Sequence, residues 1–73
     1  MREHTKEFIK GVFKANLILS KNADSLKFDG NEFEFEADFI SRHSIDFICG
    51  KLACRLVDIR LESGTMCVAF IID

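Results

Sequence analysis

Residues 66–72, read MCVAFII, put seven apolar side chains in a row. A β-strand sends alternate side chains to opposite faces, so such a run is buried on both sides only in the interior of a sheet. Just upstream, residues 52–62 alternate through Val57, Ile59 and Leu61, and Ser63 and Gly64 supply turn chemistry between the two segments. A hairpin turning there pairs Leu61 with Met66, Ile59 with Val68 and Val57 with Phe70 on one wholly apolar face. The opposite face sets Arg60 against Cys67, Asp58 against Ala69 and Leu56 against Ile71, and is half polar.

A second hairpin precedes it. With Gly30 and Asn31 as a two-residue turn, Phe28 stands opposite Phe33 and Leu26 opposite Phe35, while Lys27 faces Glu34 on the other side. Glycine at the first turn position suits a type II′ turn. The loop at residues 20–24 is rich in turn formers.

Between the hairpins, residues 38–51 read as a helix. Phe39, His43 and Phe47 fall on one stripe with Ile40 and Ile48 beside it. Asp38 or Ser44 is placed to cap its start, and Gly50 to end it in a left-handed conformation.

Residues 2–20 fit two periods. As a helix, Phe8, Val12, Ala15 and Leu19 share a face, but Phe13 and Leu17 then fall near Lys6, Lys10 and Lys14, and Gly11 costs about 1 kcal/mol. Residues 9–19 also alternate with period two, which favours a short helical lead-in over residues 2–8 followed by a strand. The expected fold is therefore α+β: one domain spanning residues 1–73, with an antiparallel sheet of four or five strands and one helix packed on one face. The second face of the sheet is left uncovered. Ile18, Leu56 and Ile71 are its candidate contacts for self-association, joined by Phe8 and Val12 if residues 9–19 form a strand. A chain of 73 residues buries a small core, so a homo-oligomer is expected.

The residue types offer little chemistry. His43, Cys49, Cys54 and Cys67 have the ligand count of a structural zinc site. In the expected register, however, Cys54 lies opposite Asp73 and Cys67 opposite Arg60, six rungs or roughly 20 Å apart. No metal or cofactor is expected, and three cysteines read as small buried hydrophobes. Lys51 and Arg55 lie near Cys49 and Cys54, but Arg55 points away from Cys54 on its strand. His43, Ser44 and Asp46 have the types of a catalytic triad, yet neighbours on a helix diverge. Glycines stand singly, so no phosphate loop exists. The expectation is that the protein is not an enzyme.

Net charge is −2 and basic residues do not cluster with aromatics, which argues against nucleic acid. Arg2, Lys6, Lys10 and Lys14 make at most a modest solvated strip. No apolar run approaches the roughly 20 residues of a membrane span, and no signal-type apolar segment follows the first residues. A cytoplasmic location is expected.

One feature rises above this background. Residues 24–38 carry six acids (Asp24, Asp29, Glu32, Glu34, Glu36, Asp38) against Lys27 alone, a net −5. On a strand, Glu32, Glu34 and Glu36 face one way and Phe33 and Phe35 the other. Such a row serves either to keep an apolar hairpin soluble or to dock a basic protein surface. The functional expectation is a small non-enzymatic interaction module, such as a regulator or inhibitor, binding through Asp29, Glu32, Glu34, Glu36 and Asp38. The alternatives are an assembly module acting through homo-oligomerisation and a small-ligand or nucleotide binder with a site between subunits.

Overall fold

The computed structural model describes residues 2–72. Helix α1 (Glu3–Ala15) leads through a 3-10 turn (Ser20–Ser25) into the hairpin β1 (Lys27–Asp29) and β2 (Glu32–Ala37). Helix α2 (Arg42–Leu52) follows, and then the hairpin β3 (Cys54–Glu62) and β4 (Thr65–Ile72). All strand pairs are antiparallel, in the order β1-β2-β4-β3. The doubly apolar strand β4 lies in the interior, as its sequence requires.

Both turns follow their chemistry. Gly30 has φ 59, which a type II′ turn requires at its first central position, and the pairs Phe28/Phe33 and Lys27/Glu34 form. Ser63 (φ 52) and Gly64 (φ 81) are both left-handed, as in a type I′ turn, and pair Leu61 with Met66 and Ile59 with Val68. The expected pairing of Leu26 with Phe35 does not form, because β1 begins at Lys27. In its place the Ser25 hydroxyl accepts the Glu36 N–H at 2.8 Å, satisfying a backbone donor beyond the end of β1.

The second hairpin departs from its expected register past Asp58. A bulge at Val57 makes Leu56 the partner of Phe70, Arg55 of Ile71 and Cys54 of Ile72. Val57 therefore does not pair with Phe70, nor Leu56 with Ile71. Asp73, expected opposite Cys54, lies outside the described residues. The bulge exchanges the faces of everything upstream of it.

The N-terminal strand expected over residues 9–19 is not there; α1 continues to Ala15. Its buried residues are Ile9 and Phe13, one turn apart, with Val12 half-buried beside them. Phe8, placed on the core stripe by the helical alternative, is exposed. The lysines do not contradict this arrangement. Their aliphatic stems run past the apolar stripe, and the Lys6 and Lys10 ammonium groups each lie 5.9 Å from the centre of the Phe28 ring.

Helix α2 is rotated relative to expectation. Ser44, Ile48 and Leu52 form its buried stripe, whereas His43 and Phe47 are exposed and Phe39 precedes the helix. Its cap is Ser41, whose Oγ accepts the Ser44 N–H at 3.1 Å, rather than Asp38 or Ser44. Ala53, with φ 51, terminates it, rather than Gly50.

Both helices and the 3-10 turn pack on one face of the sheet. Phe70 stacks between Phe33 and Phe35, with ring centres 5.4 and 6.0 Å away, and Phe13 meets Phe35 edge-on at 5.0 Å. Ile9, Leu19, Ile48 and Val68 close the core around these rings.

Candidate functional site

The alternation that sends Phe33, Phe35, Val68 and Phe70 into the core sends a different set outward. Ladder rows cross the open face as Arg55, Ile71, Glu32; as Asp58, Ala69, Glu34, Lys27; and as Arg60, Cys67, Glu36. Asp29 joins at the β1 edge and Glu62 at the β3 end. Among the described residues the face thus holds six carboxylates against Lys27, Arg55 and Arg60.

Its centre is a charge network built over small residues. Cys67 and Ala69 on β4 are short, so side chains from the flanking strands can meet above them. The Arg60 guanidinium reaches across β4 to Glu34 Oε2 at 2.9 Å, lies 3.7 Å from Asp58 and hydrogen-bonds Glu62 through its Nε. The contact with Glu62, and then that with Glu34, holds Arg60 more firmly protonated. The same hydrogen bond holds the Glu62 carboxyl below the usual carboxylate range. Burial pushes the Cys67 thiol up, and the Glu62, Glu34 and Glu36 charges push the same way, against Arg60. A raised thiol pKa makes a poor nucleophile. Beside this network Lys27, Glu32, Glu34, Val57 and Asp58 line a shallow depression of about 510 Å³.

The five acids expected to act together are divided. Asp29, Glu32 and Glu36 are exposed on the open face. Glu34 is half-buried and engaged by Arg60. Asp38 lies in the loop after β2, beside Ile18, Lys21 and Phe39, and not on the sheet. The three contacts expected on a common oligomer face are scattered. Ile18 is in the loop after α1, because α1 replaces the expected strand. Leu56 shares the helix-covered side with Phe70, because of the bulge. Ile71 alone belongs to the open face.

Other residue sets do not converge. Cys54 lies in the core and donates to the Ile48 carbonyl at 3.5 Å, whereas Cys67 is on the open face about five residues along the ladder. Among the described residues no group of three or more His, Cys, Asp or Glu side chains is placed to hold a metal ion. Ser44 is buried against Ser41 while His43 and Asp46 are exposed. Phe8, Val12, Ala15 and Phe47 line an open apolar groove of about 530 Å³ between α1 and α2, with Lys51 at its rim. No helix among the described residues is long and apolar enough to cross a membrane.

Two features escaped the sequence reading. One is Arg60 as the counter-ion of Glu34, although Asp58, Arg60 and Glu62 alternate on one face in the sequence. The other is β3 as the outer strand of the sheet. No model of a known family matches the chain, nor does any curated protein or solved structure.

Proposed function

We propose that the chain is a non-enzymatic protein-interaction module that docks a basic protein surface on the open face of its sheet, around β2. The carrying observation is the division of the sheet. One side is packed under helices, and the other bears, among the described residues, six carboxylates against three cations. Within that face Arg60 withdraws Glu34, so the docking charge resides in Asp29, Glu32 and Glu36 along one side of the sheet. Rows of like charge attract an opposite surface over about a Debye length and set orientation more than affinity.

The test is capture from the native host with wild-type chain and with the triple variant Asp29→Asn, Glu32→Gln, Glu36→Gln. The variant is expected to lose the captured protein and to flatten the salt dependence of its binding. An affinity unchanged by the three substitutions rejects the reading.

A second reading, assembly through self-association, is favoured by a separate observation. β3 forms the outer strand of the sheet with Leu56, Val57, Ile59 and Leu61 exposed along it.

A further inference from the structure

β3 pairs with β4 on one side, and among the described residues no strand pairs with its other side. It runs for nine residues, of which only Cys54 is buried. Leu61 is 79% exposed, Val57 49% and Ile59 44%. A long apolar edge is a template for another strand unless something blunts it.

The turn geometry identifies which backbone groups are offered. In a two-residue hairpin the residues flanking the turn form a hydrogen-bonded pair, here Glu62 with Thr65. Alternation then directs the N–H and C=O groups of Glu62, Arg60 and Asp58 toward β4, and those of Leu61 and Ile59 toward the open edge.

We infer that this edge pairs with the β3 strand of a second copy of the chain, antiparallel, about a twofold axis at Ile59. The inference rests on the assembly reading above and deepens it by fixing the register. Opposed residues in an antiparallel ladder share a face, so an axis between two residues would set inward side chains against outward ones. The axis must therefore pass through a residue. At Arg60 it opposes Arg60 to the partner's Arg60 and Asp58 to the partner's Glu62, like charge against like at both polar rungs, although Ile59 then meets the partner's Leu61. At Asp58 it opposes two aspartates. At Leu61 it runs Ile59 into the partner's Ser63 turn.

At Ile59 every rung matches. Ile59 meets the partner's Ile59 with the outward backbone groups of both available to exchange hydrogen bonds. Asp58 meets the partner's Arg60, twice by symmetry. Spanning the bulge as β4 does, Leu61 meets the partner's Leu56 and Glu62 the partner's Arg55. The assembly closes at two copies and eight strands, because the remaining edge of each sheet, β1, is only three residues long.

The test uses the full chain, with sedimentation velocity across the micromolar range and circular dichroism as a fold check. Wild type is expected to be a dimer at the upper concentrations, and Asp58→Arg to weaken it at least tenfold by opposing arginines at two rungs. Ile59→Cys is expected to form a covalent dimer on mild oxidation, since the two α-carbons of a hydrogen-bonded pair lie about 5.5 Å apart. Wild type and Arg60→Cys are expected not to. A wild-type monomer throughout overturns both the edge reading and the register. A dimer that Asp58→Arg tightens, or that Arg60→Cys cross-links in place of Ile59→Cys, overturns the register alone, because it places the axis at Arg60. A dimer abolished by Ile59→Lys supports the edge reading whichever register holds.

Discussion

Arg60 on β3 and Glu34 on β2 meet 2.9 Å apart above a strand that separates them, β4. The contact exists because β4 presents Cys67 and Ala69 to that face, and neither side chain is tall enough to keep the two apart. It converts a row of three glutamates into two exposed charges flanking a paired one.

Replacing Arg60 with Gln should leave Glu34, Asp58 and Glu62 without their shared cation. The fold is expected to persist with a lowered thermal midpoint, since exposed ion pairs contribute little individually and networks somewhat more. The loss should shrink in high salt. Thermal melts of both proteins at low and high ionic strength measure it. An equal midpoint at low salt would show the network to be energetically silent.

The pH dependence has a definite sign. Glu62 has a folded-state pKa below its unfolded value, held there by Arg60. A depressed carboxylate contributes stability that is full above the unfolded pKa, near 4.3, and is lost as pH falls through the folded value. Stability should therefore decline below about pH 4.3 more steeply in wild type than in Glu62→Gln, and the two curves should converge in acid. Urea titrations at a series of pH values check this.

How far this was legible in advance depends on whether the signal was local. The two turns and their first rungs follow from residues within a few positions of each other, and chemically consistent faces confirm the register. The bulge does not, because Leu56 and Val57 are both apolar and either can sit opposite Phe70. The N-terminal helix was obscured by a chance alternation over residues 9–19 and by lysines whose stems are apolar. The acidic row was visible, but its counter-ion was not: pairing Arg60 with Glu34 requires knowing that β4 lies between β2 and β3, a fact of topology that no short window contains.

The helix assignment at the N-terminus predicts unequal costs for two phenylalanines. Phe13 is fully buried among Phe33 and Phe35, and Phe8 is 55% exposed. Phe13→Ala should cost about 3–5 kcal/mol, a large share of the stability of so small a domain, and Phe8→Ala well under 1 kcal/mol. Chemical denaturation resolves the difference. Equal costs would contradict the buried stripe of α1.

Two helical glycines and two left-handed non-glycine residues are mismatched to their positions, and replacing them should stabilise the chain. Gly11 and Gly50 are helical, and a Cβ at either would meet no atom within 4 Å. Gly11→Ala and Gly50→Ala should each add up to about 1 kcal/mol. Conversely, Ala53 and Ser63 hold φ of 51 and 52, which costs an L-residue roughly 1 kcal/mol. Ala53→Gly relieves the end of α2, and Ser63→Asn produces the Asn-Gly pair that type I′ turns favour. Gly11, the end of α2 and the Ser63 turn are separate sites and should add nearly independently, whereas Gly50 and Ala53 share the end of α2 and are close enough to couple. Denaturant midpoints of the single and combined variants test this, and a combined variant no more stable than wild type would mean that these backbone conformations are not those of the folded chain.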